Sequence, residues 1–321
     1  MDDHTSDLPQ KLHNEPTPRI GGLGIFIACV FMTRNLDLGL SVVLCLVPAF
    51  LAGFLEDLFA RISPLKRLWI MSFSGLLSVY FLQAVVIDYG FIKVPETLGL
   101  IISVIAILGL INGMNLIDGF NGLSSGVGLL ILAADFIISL RVGDSTMAYI
   151  SLIGMAALAG FLFFNFPYGR IFLGDGGAYS LGFLLAIISI LLVKRNLQIS
   201  PWFALVCLIY PVWEVIFSFC RRMLIYRLSP LHPDSKHMHQ LIFRNITHGH
   251  NAKTTLFILP FILLFNAGAV LFYHQTLYLM VLTLLFEALY TLLYAYFYRK
   301  ELQAVARTER PLSSSSSAGM H

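Results

Sequence analysis

Charge is what this 321-residue chain has least of. Asp, Glu, Lys and Arg make up 12% of it, about half of the roughly 25% usual in soluble domains. That shortage excludes an ordinary water-soluble globule, whose surface needs charged cover. The net charge is only +3 and its cations are dispersed, so no basic face exists for a nucleic-acid partner. Cysteine is scarce as well. Cys29, Cys45, Cys207 and Cys220 all sit in apolar runs without Cys-x-x-Cys spacing, which argues against a disulfide framework or a thiolate metal site. A basic start followed by a short apolar stretch is also missing. The chain begins Met1-Asp2-Asp3-His4, and no cleavable signal peptide is expected.

What fills the sequence instead is apolar: 57% of the residues are hydrophobic. They form ten segments, at 20–33, 40–55, 68–87, 98–111, 123–140, 147–166, 177–193, 202–219, 255–273 and 276–297. At about 1.5 Å rise per residue against a hydrocarbon core of about 30 Å, these read as membrane helices. The first is short and glycine-rich. The expected fold is an all-α polytopic membrane protein of about ten transmembrane helices. A polar N-terminal segment (1–19) precedes one membrane domain (20–298), which contains a long polar connection (220–254). The tail at 307–321, with its run Ser313 to Ser317, is too polar to build a core and is expected to be disordered.

Charge asymmetry orients the bundle. With ten spans, the two ends and the even-numbered connections share one side. Sixteen of the 21 Lys and Arg residues fall there, and only Arg34, Lys93, Arg141, Lys194 and Arg195 fall on the other. The excess places both termini in the cytoplasm.

Four polar blocks occupy that same side. Gly53-Phe54-Leu55-Glu56-Asp57 closes one span and is followed by Ser63, Pro64, Lys66 and Arg67. Asn112-Gly113-Met114-Asn115-Leu116-Ile117-Asp118-Gly119-Phe120-Asn121-Gly122-Leu123 separates two others. Asn165-Phe166-Pro167-Tyr168-Gly169-Arg170 leads into Phe172-Leu173-Gly174-Asp175-Gly176-Gly177, and the connection at 220–254 holds Asp234, His237 and His239. Amides and carboxylates at a membrane boundary are costly unless they are used.

Each block alone has a plain structural explanation. Glu56 and Asp57 could pair with Lys66 and Arg67 in a solvated loop, and Asp175 could cap the helix that follows it. His232, His237 and His239 match no standard zinc spacing. Asp135 and Glu287 lie inside spans and are expected to serve polar groups of neighbouring helices. Glu214 stands two helical turns before Arg221 and Arg222, which predicts a same-face ion pair. Taken together, carboxylates from several loops with glycine turns and cations suit a magnesium–diphosphate site. Magnesium takes one or two protein carboxylates and completes its shell with phosphate oxygens and water, and glycine-rich turns offer backbone N–H groups to phosphate.

With these residues in view, the chain resembles the polyprenyl-phosphate N-acetylhexosamine-1-phosphate transferases. The resemblance rests on Pro16-Thr17-Pro18-Arg19-Ile20-Gly21-Gly22, Glu56-Asp57 with Ser63-Pro64, Asn112 to Leu123, Phe172 to Gly182, and Ser229 to His239, in family order. It implies transfer of a sugar 1-phosphate from a UDP-N-acetylhexosamine to undecaprenyl phosphate, with release of UMP. The setting it implies is the bacterial cytoplasmic (inner) membrane, at the start of a lipid-linked surface polysaccharide such as O-antigen. Magnesium is the implied cofactor, manganese its alternative, and a homodimer is left open. By motif, Asp175 and Asp118 are the implied metal ligands. Glu56, Asp57, Asp118, His237 and His239 are the implied catalytic residues, and Asn112, Asn115, Asn121, Asn165, Lys66, Arg67 and Asp234 the implied binding residues. The chain departs from the family pattern at Glu56, where an aspartate is usual, and at Asn121, where many members carry a second aspartate. It also begins almost at the Pro-Thr-Pro-Arg run, ahead of which members usually have a further helix. Two other readings stay open: a catalytically inactive scaffold, and a secondary transporter, although no internal repeat of the kind transporters show is visible.

Overall fold

The computed structural model describes residues 17–31, 38–229 and 234–308, with side chains as far as Gln303. The segment before Thr17, His232 and the tail beyond Thr308 lie outside the described residues. Twelve α-helices follow one another: α1 Gly21–Phe31, α2 Gly39–Phe59, α3 Pro64–Phe81, α4 Glu96–Ile117, α5 Leu123–Val142, α6 Ser145–Asn165, α7 Gly174–Arg195, α8 Pro201–Cys207, α9 Ile209–Cys220, α10 Met238–Asn245, α11 Asn251–Leu271 and α12 Thr276–Thr308. A π-helical turn, Arg221–Ile225, extends α9. Among the described residues the only β-pairing is an isolated bridge between Asp88 and Lys93. The all-α membrane architecture is as expected.

Not all ten expected spans are matched by helices that qualify on length and composition alone. Seven helices are long and apolar enough to cross a membrane, and the pair α8–α9, bent by 75°, makes an eighth. All ten apolar segments lie on helices, but two do not qualify. α1 has 11 residues, about 16 Å of rise against a core of about 30 Å. α3 has 18 residues, and its first turn carries Lys66 and Arg67. The bend after Cys207 has a local cause. Pro211 lacks the N–H that would bond the Cys207 carbonyl, and its ring crowds that carbonyl. α4 runs further than its apolar segment, to Ile117, so Asn112 to Ile117 are helical. The Asn112 amide donates back to the Leu108 carbonyl at 2.8 Å, a bond that lets a polar side chain remain inside the helix.

α7 is the hub, buried from Gly176 to Leu192. Two glycine contacts let its neighbours approach closely. A Cβ on Gly53 of α2 would sit 2.3 Å from the Asp175 carbonyl carbon, and one on Gly22 of α1 would sit 2.3 Å from the Gly177 nitrogen. Both contacts lie at the N-terminus of α7, so α1 and α2 are drawn against it at that end.

The polar residues sort to two faces. On one, Asp144 caps α6, accepting the Met147 N–H at 3.2 Å, and pairs with Arg195 at 2.8 Å; Trp202 donates to the Tyr89 carbonyl at 2.9 Å. The four polar blocks gather on the other, where both described ends of the chain also lie. Arg19 stands 3.8 Å from Asp57 and Glu301 accepts from Arg244 at 2.6 Å. Between the faces, Asp135 of α5 accepts the Ser189 hydroxyl of α7 at 3.1 Å, the neighbouring-helix role expected of it. Glu287 makes no such bond among the described residues.

Candidate active site

The site begins with a cap. Asp57, in the last turn of α2, accepts the N–H of Asp175 at 3.0 Å and of Gly176 at 2.9 Å. These are two of the amides that a helix start leaves without intrahelical partners. With its side chain only 5% exposed, Asp57 therefore aims the start of α7. Glu56 turns away and accepts the Ile62 N–H at 2.9 Å, closing the α2–α3 turn.

Asp175 is thus held at the head of the hub helix. Its Oδ2 accepts from the Arg67 guanidinium, which α3 supplies from its own first turn. Lys66 is exposed on the same turn. Asp118 ends α4, and its Oδ1 accepts the Ser124 hydroxyl. Burial pushes the Asp118 carboxyl up to about 8. The Ser124 bond opposes that shift, while the negative charges of Asp175 and Asp57 add to it. Three carboxylates from α2, α4 and α7 therefore share one electrostatic environment, offset in part by Arg67 and Arg19.

Asparagines brace the turn beside Asp118. Asn121 donates its side-chain amide to the Pro167 carbonyl at 2.8 Å and its backbone N–H to Asn251 Oδ1 at 2.7 Å. Its carbonyl accepts the Thr255 hydroxyl at 2.7 Å. Asn165 accepts the Gly122 N–H at 2.6 Å and donates to the Ile171 carbonyl at 2.8 Å. Gly122, which opens α5, has φ +76°, a conformation that glycine adopts without strain. Asn121 and Asn165 are both about 5% exposed and tie α4, α5, α6 and α11 together. Asn115 lies beside the Tyr179 hydroxyl, and Asn112 stays with its own helix.

The histidines complete the arrangement from the 220–254 connection. His237 caps α10 together with Gln240. Its Nδ1 lies 3.1 Å from Glu214 Oε2 and its Nε2 3.6 Å from Asp234 Oδ1. His239 packs edge-on against Phe120, between Asp118 and Asn121 in sequence, with ring centroids 5.3 Å apart. Burial pushes the His239 imidazole down to about 3, against the opposing pull of Glu214, so it is neutral at working pH. Asp234 takes Arg221 at 2.8 Å and Arg222 at 2.8 Å. Burial alone would raise its carboxyl, but the two guanidinium groups outweigh that and hold it well below the usual carboxylate range. The expected pairing of Glu214 with Arg221 and Arg222 is therefore not formed. Asp234 takes both arginines and Glu214 takes the histidine.

All four blocks thus meet on one face. Sequence reading passed over Glu214 as a site residue, although a carboxylate alone in an apolar span is itself a signal. Ser124, Phe120 and Asn251 carried no local signal. Among the described residues, no three or more His, Cys, Asp or Glu side chains are grouped so as to hold a metal ion. Asp118 and Asp175 do fit magnesium, which needs only one or two carboxylates, and a cation would relieve the like-charge crowding at Asp118.

Comparison with known proteins follows the same outline. The model of glycosyl transferase family 4 matches residues 39–193. The chain is 30% identical over 257 residues to an undecaprenyl-phosphate alpha-N-acetylglucosaminyl 1-phosphate transferase of Thermotoga maritima, covering 80% of this chain and 77% of the relative. It is 31% identical over 242 residues to a phospho-N-acetylmuramoyl-pentapeptide-transferase of Oceanobacillus iheyensis, covering 67% and 74%. With a decaprenyl-phosphate N-acetylglucosaminephosphotransferase of Mycolicibacterium smegmatis it shares 25% over 305 residues, covering 82% and 74%.

Proposed function

Because the chain belongs to glycosyl transferase family 4, among the polyprenyl-phosphate N-acetylhexosamine-1-phosphate transferases, we propose that it transfers N-acetylglucosamine 1-phosphate from UDP-N-acetylglucosamine to undecaprenyl phosphate and releases UMP. The observation that carries this reading is the meeting of Asp57, Asp118, Asp175, Arg67 and Arg19 on one face of the bundle. At such a boundary a water-soluble nucleotide and a membrane lipid can reach the same atoms. The face is the cytoplasmic one of a bacterial inner membrane, by the Lys and Arg excess, and the product starts a lipid-linked surface polysaccharide.

The acceptor phosphate monoester has a second pKa near 6 and is largely dianionic at neutral pH, so it needs no strong base. Its oxygen attacks the sugar-bearing phosphorus while the bond from that phosphorus to the UMP oxygen breaks, and the electron pair leaves with UMP. Positioning and charge neutralisation dominate such transfers. Arg67 and Arg19 supply fixed positive charge near the diphosphate. Asp57 holds α7 so that Asp175 faces the cleft, and Asn121 and Asn165 keep the Asp118 turn in place. Asp118 and Asp175 would hold magnesium, which would supply charge neutralisation of the diphosphate.

The test is UMP release by purified protein in lipid nanodiscs with undecaprenyl phosphate, magnesium and a panel of UDP-N-acetylhexosamines that includes a 6-deoxy sugar. Turnover is expected with UDP-N-acetylglucosamine, abolished by chelation and restored by magnesium. A stoichiometric burst of UMP without the lipid acceptor would overturn direct attack. No turnover with any sugar would overturn the reaction itself.

A further inference from the structure

Glu214 is the one fully buried carboxylate among the described residues of the α8–α9 pair, 0% exposed, and both of its oxygens are in use. Oε2 lies 3.1 Å from His237 Nδ1, and Oε1 accepts the Met238 N–H at 3.0 Å. His239 Nδ1 stands 3.8 Å from Oε1. A carboxylate can only accept, so His237 presents Nδ1–H to it. Met238 is the first residue of α10, so Glu214 satisfies an orphan amide of that helix from a different helix, as Asp57 does for α7. The line of contact continues inward. The rings of His237 and His239 lie parallel with centroids 5.4 Å apart, His239 meets Phe120 edge-on, and Phe120 also meets Phe243 of α10 at 5.1 Å. Phe120 is two residues from Asp118.

We propose that Glu214 is a positioning residue for the transfer reaction, clamping His237 and the start of α10 so that His239 and Phe120 hold the Asp118 turn in its reactive placement. The inference rests on the transferase reading above. Burying a carboxylate inside an apolar helix is costly unless its charge is matched by hydrogen bonds, and here His237 and Met238, both of the polar connection that covers the site, supply two of them. Arg221 and Asp234 anchor the same connection separately, through the Lys236 carbonyl at 2.7 Å and their own pair. The clamp therefore acts on placement at α10 and not on whether the connection docks.

Glu214→Gln is nearly isosteric but must turn an N–H toward one of the two donors. The expected result is a fall in kcat of at least tenfold with KM for both substrates within threefold of wild type. Hydrogen exchange at Met238 and the first turn of α10 should be at least tenfold faster, with exchange in α7 unchanged. A second variant separates the clamp from bulk disruption. In His237→Asn, the side-chain amide N–H takes the place of Nδ1–H, so slow exchange at α10 is expected to survive. Wild-type kcat in Glu214→Gln, unchanged exchange at α10, or equal loss of protection in α7 and α10 would each overturn the proposal. The exchange measurement needs no substrate. A wild-type protein that turned over nothing would count against the reaction alone, leaving the exchange pattern to decide for or against the clamp.

Discussion

Replacing Asn121 by aspartate introduces the residue that the family resemblance implies at this position, yet the structure requires it to be harmful. The Asn121 amide donates to the Pro167 carbonyl at 2.8 Å, in a site about 5% exposed. An ionised carboxylate there has no hydrogen to donate and would face a carbonyl oxygen. Asn121 packs closely over Gly169, where an added Cβ would lie 2.8 Å from Asn121 Oδ1. Losing one bond and leaving buried acceptors opposed costs about 1–3 kcal/mol. By the size scaling of the unfolding entropy, that is a fall in melting temperature of roughly 1.5–4.5 °C. The sign of the pH dependence follows. Burial and the facing carbonyl raise the folded-state pKa of Asp at position 121 above the unfolded value near 4. The variant's deficit is then small near and below that unfolded value, where a protonated carboxyl can donate to Pro167, and grows as pH rises through the shifted value. The assay is thermal unfolding of Asn121→Asp and wild type in matched detergent between pH 4.5 and 8.5, read as the difference between the two. A variant as stable as wild type at pH 8, or a deficit that shrinks as pH rises, would refute the assignment. A higher kcat at pH 8 would show instead that position 121 serves the chemistry directly.

Asp57→Asn keeps one acceptor for the α7 amides but turns an N–H toward the other. It should cost about 1–2 kcal/mol and lower kcat at least a hundredfold by misplacing Asp175, measured by melting and UMP release. Gly53→Ala should fail to accumulate as folded protein or lose about 2–3 kcal/mol, because its Cβ would lie 2.3 Å from the Asp175 carbonyl carbon. Gly24→Ala, with nothing within 4 Å, should be neutral or stabilising. Fluorescence-detected size exclusion of the pair decides this. Asp234→Asn should loosen the hold of Arg221 and Arg222 on 234–237, read as faster hydrogen exchange at Lys236 and His237 at pH 7. In wild type the Asp234 anchor, whose pKa is depressed, should hold unchanged from pH 8 down to about 4 and weaken only below the ordinary carboxylate value.

Several features were legible in the chain itself because they are local. The membrane class follows from charge scarcity and apolar run length, and each of the ten runs falls on a helix. The polar blocks were visible as breaks between runs, and the carboxylates, Arg67 and the histidines were all found there. By length and composition seven helices, or eight with the bent pair, qualify as spans; α1 falls short in length and α3 carries two cations in its first turn. Asn112 was read as part of a loop, although a back-bond to Leu108 keeps it in the helix. Glu214 was assigned to the arginines by helical spacing. Asp234, distant in that spacing, offers the arginines both of its oxygens instead.

By itself, the sequence determined that this is a helical membrane protein with its chemistry on one side, and it named most of the side chains gathered there. Composition, periodicity and Lys–Arg asymmetry carry that information because each depends only on neighbouring residues and the surrounding solvent. The tertiary structure alone decided what each side chain does. Asp57 reaches the Gly176 amide across 119 positions, and Asn121 reaches Asn251 across 130. Such pairings depend on how closely helices approach at glycines such as Gly22 and Gly53 and on where α9 bends. No local pattern encodes those distances. A polar side chain buried at a helix end takes whichever partner the packing brings within about 3 Å.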